Sequence, residues 1–187
     1  MPEFSLISAP PLAGYDETLG GIRLRAPEGV AIVSIALPLG GEAAAEKAVK
    51  AAYGVALPEV GQSVVAGDAR LVRLGLDQGF VIFTHTEPTA EALVAEKLKG
   101  KAYTTDQTDV WVALEISGAR CRDALERICP LDLHPDAFGV DQAARTVMEH
   151  LGVLIIRTGE EAYLLLSASS SAGTFQHALH QSMKNVS

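Results

Sequence analysis

Asp132 and His134 are the one pair in this chain whose types and spacing suggest proton chemistry. In an extended segment, residues two apart share a face. A carboxylate beside an imidazole raises the ring's pKa and fixes its tautomer, which can serve general acid–base work. The same pair can instead be a hydrogen-bonded clasp holding a loop between Pro130 and Pro135. The pair sits inside Cys129-Pro130-Leu131-Asp132-Leu133-His134-Pro135, with Phe138 shortly after, directly beyond an expected amphipathic helix.

Other candidate chemistry is sparse. His177 and His180 stand three apart on an expected helix, a spacing that can place two metal ligands on one face. No cysteine or third histidine accompanies them, although a distant carboxylate could, and a solvated helix face is the reading adopted. Leu39-Gly40-Gly41-Glu42 lacks both the G-x-G-x-x-G spacing and a P-loop lysine. Gly61-Gln62-Ser63-Val64-Val65 lacks the second glycine of a nucleophile elbow. The serines at 169, 170 and 171 read as a helix cap. Cys121 and Cys129 are eight apart on one expected helix, roughly 12 Å at about 1.5 Å per residue. That is beyond disulfide reach, so both are expected as buried free thiols suited to a reducing cytoplasm.

Composition narrows the class further. The chain has 187 residues, 48% hydrophobic and 20% charged, which allows a sizeable core and excludes disordered and disulfide-rich classes. Its net charge is −8. Residues 1–29 carry −2, residues 30–100 carry −2 and residues 101–187 carry −4, which together give that total. No basic block exists to neutralise phosphates, so nucleic acid is not an expected partner. The start, Met1-Pro2-Glu3-Phe4, lacks the pattern of a signal peptide. The apolar run Val30 to Leu39 is far below the roughly 20 residues of a membrane span. A cytoplasmic protein with no membrane contact is expected.

The elements that must position these residues read as a repeat. Residues 1–29, punctuated by Pro2, Pro10, Pro11 and Pro27 and by Gly14, Gly20, Gly21 and Gly29, are expected as an irregular N-terminal arm, either disordered or ordered by a partner. From Val30 the chain makes two similar passes, about 30–100 and 101–187. The first has a strand from Val30 to Leu37, then a helix at 42–53 with the stripe Ala45, Ala48, Val49, Ala52 and Tyr53. The second has a strand near 110–116, then a helix near 118–128 with the stripe Cys121, Ala124, Leu125, Ile128 and Cys129. The two stripes differ by a constant 76 positions, and Gly54 to Pro58 falls on Pro130 to His134. Hairpins follow: Leu71–Leu76 with Phe80–Thr84, and Val153–Arg157 with Ala162–Ser167. Each leads to another helix, one near Pro88 and one after Ser171 with the stripe Phe175, Ala178, Leu179, Ser182 and Met183. About seven extra residues around Ala143 to Glu149 could add a strand. Each pass reads as β-α-β-β-α, close to the split β-α-β (ferredoxin-like) arrangement. The fold expected for 30–187 is therefore a single α+β domain of two such halves, with antiparallel sheets and helices segregated on one face.

Cys129 to Pro135, Phe138, Thr146, the hairpin of 153–167 and the preceding Leu114-Glu115-Ile116-Ser117-Gly118-Ala119 resemble the core of the gamma subunit of heterotetrameric sarcosine oxidase. The resemblance is strong over about 110–167 and weaker over 30–100. Ser169-Ser170 and Phe175 depart from the Arg-Ser pair and Trp expected near the last helix. The resemblance implies a non-catalytic assembly subunit of a flavoenzyme that demethylates sarcosine to glycine, hydrogen peroxide and 5,10-methylenetetrahydrofolate. It implies alpha, beta and delta partner subunits, with FAD, FMN, NAD and the tetrahydrofolate site in alpha and beta and zinc in delta. No cofactor, metal or catalytic residue is implied for this chain. Cys129, Pro130, Leu131, Asp132, Leu133, His134, Pro135 and Phe138 would be structural or interface residues. The implied fold is that of the folate-binding domain of aminomethyltransferases. The alternatives are a stand-alone folate-binding or aminomethyltransferase-like protein, and a protein of this fold with an unrelated partner.

Overall fold

The computed structural model describes residues 9–187. The first pass holds β3 (Val30–Ala36), α1 (Glu42–Tyr53), β4 (Gln62–Ala66), β5 (Ala69–Arg73), β6 (Gln78–Thr84) and α2 (Ala90–Leu98), preceded by β1 (Asp16–Leu19) and β2 (Ile22–Arg25). The second runs from β7 (Tyr103–Asp106) through β8 (Trp111–Ser117), α3 (Cys121–Glu126), β9 (Ala143–Met148), β10 (Leu151–Gly159) and β11 (Ala162–Ala168) to α4 (Ala172–Val186). With β1, β2 and β7 set aside, each pass is β-α-β-β-β-α, one strand more than the β-α-β-β-α repeat read from the sequence. β4 was missed outright, and β9 occupies the extra residues around 143–149.

Two antiparallel sheets result, in the orders β4-β5-β6-β3-β7 and β1-β2-β8-β11-β10-β9. The corresponding strands occupy corresponding places. In the first sheet β7 lies beyond β3; in the second, β2 takes that place beside β8. The expectation of an irregular arm over residues 1–29 therefore needs correction. Residues 1–8 lie outside the described residues, but 16–25 form a hairpin. Gly20 and Gly21, at φ +56° and +81°, make its two-residue turn, which glycine accommodates without steric cost. Ile22 and Leu24 are fully buried, so alternation in Ile22-Arg23-Leu24-Arg25 sets one face into the core.

The layers run helices, sheet, sheet, helices. Ala45 and Val49 of α1 and Val94 and Leu98 of α2 pack on one face of the first sheet with Val33, Ile35, Leu71 and Val81. Cys121, Leu125, Phe175, Leu179 and Met183 cover the second sheet from outside with Leu114, Ile116, Ile155 and Leu165. Between the sheets lie Ile32, Val72, Phe80 and Ile82 against Leu154, Ile156, Leu164 and Leu166. Three apolar layers result, and the two passes share the middle one. The stripe residues are buried or partly buried, with Ser182 inside because its hydroxyl donates to the Ala124 carbonyl at 2.6 Å. α2 begins at Ala90 after Thr89 rather than at Pro88. The serine run forms a 3-10 turn, and Ser171 makes no side-chain cap bond to α4.

A near-twofold seam joins the sheets where β4 and β9 begin. Gln62 and Gln142 pair as an isolated antiparallel bridge. Ser63 N donates to Asp141 O at 2.6 Å, and Ala143 N donates to Gly61 O at 2.9 Å. Gly61 N and Asp141 N donate to the carbonyls of Arg73 and Arg157, each at 2.8 Å. Gly61 and Asp141 both have positive φ, +80° and +68°. At Asp141 the carboxylate holds the unusual backbone by pairing with Arg70 at 2.5 Å.

Candidate functional site

α3 ends at Glu126, two residues earlier than its spacing suggested, and the motif follows at once. Cys129 still closes a helical turn, its N–H donating to Leu125 O at 2.9 Å. Beneath the loop, Cys129, Leu133 and Phe138 are buried. The Cys129 Sγ stands 3.9 Å from Thr146 Oγ1 on β9, a weak sulfur contact. Pro130, Asp132, His134, Pro135 and Asp136 face solvent, and Leu131 is half-buried.

Asp132 and His134 do not form a side-chain dyad. The chain turns directly after them, at Pro135. Asp132 Oδ1 instead accepts from the backbone N–H of His134 at 2.9 Å. His134 Nδ1 accepts from Asp136 N at 3.3 Å. The His134 carbonyl accepts from Ala137 and Phe138 N–H at 2.9 and 2.8 Å. Side chains of this kind commonly order turns by capping local backbone. Both side chains make these contacts to backbone rather than to each other.

What the turn serves is visible one strand away. Arg157 is 5% exposed. Its Nη1 donates to Phe138 O at 2.6 Å, its Nε to Gly159 O at 3.2 Å and its Nη2 to Glu160 O at 2.8 Å. Its guanidinium lies 5.8 Å from the Tyr163 ring centre. Arg73, at the equivalent place in the first sheet, binds in nearly the same way. Its Nε donates to Gly75 O at 3.3 Å and its Nη2 to Leu76 O at 2.6 Å. Only the third contact differs, because Arg73 Nη1 reaches Glu46 on α1 at 3.1 Å. The α3 residue matching Glu46 in the stripe alignment is Arg122, which cannot accept. Leu57 and Leu133 correspond and both are buried, but the second pass has four more residues before its seam. That insertion brings the Phe138 carbonyl to the arginine in place of a helix carboxylate.

Arg157 escaped the sequence reading, since a charge at the end of an apolar strand run looks like an exposed edge. One signal was present. Arg73-Leu74-Gly75 and Arg157-Thr158-Gly159 place the same R-x-G at both hairpin turns.

The thiols are poorly suited to nucleophilic work. Both cysteines are free and buried. Burial, with the Glu161 charge adding to it, pushes the Cys121 thiol up to about 11 from 9.0. The unfolded thiol loses its proton first as pH rises, so this group costs stability between about pH 9 and about pH 11 and none below. Tyr53, pushed up to about 12 by burial, adds a similar loss from about pH 10. The Tm should therefore fall across the alkaline window, and Cys121→Ala should shallow that fall. An identical slope in the variant would count against a buried, protonated thiol.

His180 departs from the solvated-face reading. Its Nδ1 stands 2.9 Å from Glu17 Oε2, and Gln176 Nε2 donates to Tyr15 OH at 2.9 Å. These contacts tie the N-terminal hairpin region to α4, while His177 is exposed. Among the described residues no group of three or more His, Cys, Asp or Glu side chains gathers as a metal site. No helix among them is long and apolar enough to cross a membrane.

Two hollows remain. A small one of about 190 Å³ lies beside the motif, between Pro135, Cys121, Arg157 and Glu160. A larger cleft of about 660 Å³ opens between the sheets at the end bearing Glu28, Val30, Asp68 and Glu115.

Known proteins place this geometry. The model of the family "Sarcosine oxidase, gamma subunit family" matches residues 40–184. A sarcosine oxidase subunit gamma from Arthrobacter sp is 35% identical over 125 residues, 66% of this chain and 62% of that protein. The chain thus spans less than two thirds of that relative's length. Among solved structures, a chain of the heterotetrameric sarcosine oxidase from Corynebacterium sp. U-96, in complex with pyrrole 2-carboxylate, superposes with a TM-score of 0.75 at 27% identity. That match covers 88% of this chain and 84% of the other. The glycine cleavage system aminomethyltransferase T from Bartonella henselae shares the fold, with a TM-score of 0.63 at 17% identity over 83% of this chain and 44% of that one.

Proposed function

Because the chain belongs to the sarcosine oxidase gamma subunit family, we propose that it is the gamma subunit of a heterotetrameric sarcosine oxidase and contributes structure rather than chemistry. The observation that carries this reading is surface apolarity in one place. Leu39, Leu76 and Tyr103 are 101%, 81% and 69% exposed. All three lie at one end of the first sheet, where Ala36 pairs with both Gln78 and Tyr103. Large apolar side chains gathered on ordered loops mark a protein contact. The equivalent end of the second sheet carries the motif's inserted turn, with Pro135 against the β10–β11 turn.

In this reading the complex converts sarcosine to glycine, hydrogen peroxide and 5,10-methylenetetrahydrofolate. FAD, FMN, NAD and tetrahydrofolate reside in the alpha and beta subunits, and zinc in delta. Residues 30–187, with the hairpin at 16–25, act as one domain of two halves. The motif serves by holding Arg157 from below and offering Pro130, Asp132, His134 and Pro135 outward to a neighbouring subunit. Two free buried cysteines fit a reducing cytoplasm. The stand-alone folate-binding alternative gains little from the large cleft, because both of its arginines are already paired with carboxylates and folate is itself anionic.

Co-expression with the alpha, beta and delta subunits tests the proposal. A tagged chain should draw out a yellow four-subunit complex that oxidises sarcosine. An alpha–beta–delta complex of unchanged stability and turnover, made without this chain, would refute a structural role.

A further inference from the structure

We propose that the open mouth of the cleft between the two sheets is a docking surface for a basic, apolar-tipped segment of a neighbouring subunit. The inference rests on the assembly reading above and adds a place and a chemistry to it. The cleft is about 660 Å³, with Val30, Val65, Ile82 and Leu164 among its walls. Val65 lies on the same strand face as buried Ser63 yet is 53% exposed, so apolar surface there is open to a partner. The rim is charged. Asp16, Glu28, Asp68 and Glu115 line it with Arg25 and Arg70.

The pairing of these charges selects the sign of the occupant. Arg25 is bound to Glu115. Arg70 is held by Asp141 at 2.5 Å and by the Ser63 hydroxyl at 2.7 Å. Asp16 is matched by Arg23 at 2.5 Å, and that pairing holds its carboxyl below the usual range. Among the described residues, Glu28 and Asp68 are the rim charges left without an ion pair. An anion entering the cleft would have to break an existing pair, whereas a cation meets two uncommitted carboxylates. Asp68 precedes β5 and Glu28 precedes β3, with β6 between those strands. At about 4.8 Å per strand they stand roughly 10 Å apart along the first sheet's lip of the cleft. That spacing suits an extended segment lying along the lip. Its Lys or Arg side chains would reach the rim while an apolar side chain covers the exposed Val65. Complementary charge across such a contact chiefly sets partner choice and rate of encounter.

Competitive assembly tests this. Wild-type chain and a Glu28→Lys/Asp68→Lys variant, differently tagged, are co-expressed with the alpha, beta and delta subunits, and their ratio in the purified complex is measured. The variant should be under-represented by about ten-fold or more, since like charges face each other across the contact. The neutral variant Glu28→Gln/Asp68→Asn should fall between, and melting of each isolated chain should stay near wild type because both sites are exposed. Incorporation of both variants at the wild-type level overturns the docking surface while leaving the assembly reading intact. A wild-type chain that enters no complex overturns both.

Discussion

Arg157→Ala should destabilise the protein by about 2–4 kcal/mol, a large share of the 5–15 kcal/mol typical of a domain. The residue is 5% exposed, and its removal strands the buried Phe138 carbonyl and leaves the turn carbonyls of Gly159 and Glu160 to water. Leaving a buried acceptor unsatisfied costs about 1–3 kcal/mol before relaxation or water entry. The cation over the Tyr163 ring is lost as well. The chain supplies its own control. Arg73 makes the matching contacts, but its side chain is 15% exposed and its third partner, Glu46, is 43% exposed and can turn to water. Arg73→Ala should therefore cost less, about 1–2 kcal/mol. Urea unfolding of both variants, with the m-value compared to wild type, decides the matter. A loss at Arg157 no greater than at Arg73 would mean the inserted turn does not depend on this guanidinium.

That contrast also shows what was and was not legible in the sequence. The helices could be read because a repeating 3.6-residue pattern reports which face meets the core, and the 76-residue spacing of two such stripes exposed the duplication. Strands with a polar outer face were harder. β1 is Asp-Glu-Thr-Leu and β7 is Tyr-Thr-Thr-Asp, short edges with little burial to impose a pattern. β2 was hidden by punctuation, since Gly20-Gly21 reads as part of an irregular arm, disordered or ordered by a partner, when it is a tight hairpin turn. The motif posed a different problem. In a loop that does not repeat, nothing in the order of residues says that Leu133 points inward and His134 outward. That follows only from Asp132 capping the His134 N–H and from the Phe138 carbonyl meeting an arginine distant in sequence.

Leu133→Ala is the second change with a large expected effect. Leu133 is fully buried among the apolar side chains between α3, α4 and the second sheet. Truncating such a leucine removes its transfer energy and leaves a cavity, at about 2–5 kcal/mol. The higher part of that range is expected here, because two prolines and the capped turn around Leu133 limit how far the loop can collapse into the space. His134→Ala, one position on, should behave differently. Its side chain is 59% exposed and contributes one long hydrogen bond to Asp136 N, so thermal unfolding of the isolated chain should change by less than about 1 kcal/mol. If the exposed face of the motif meets another subunit, His134→Ala should instead lower incorporation into the complex at nearly unchanged intrinsic stability, while Leu133→Ala lowers both. Stability losses of equal size at the two positions would show that the motif acts only inward, as a support for Arg157. An assembled His134→Ala complex with normal subunit ratios but greatly reduced turnover would return this histidine to proton chemistry, despite a geometry in which its nearest carboxylate contact is Asp136 rather than Asp132.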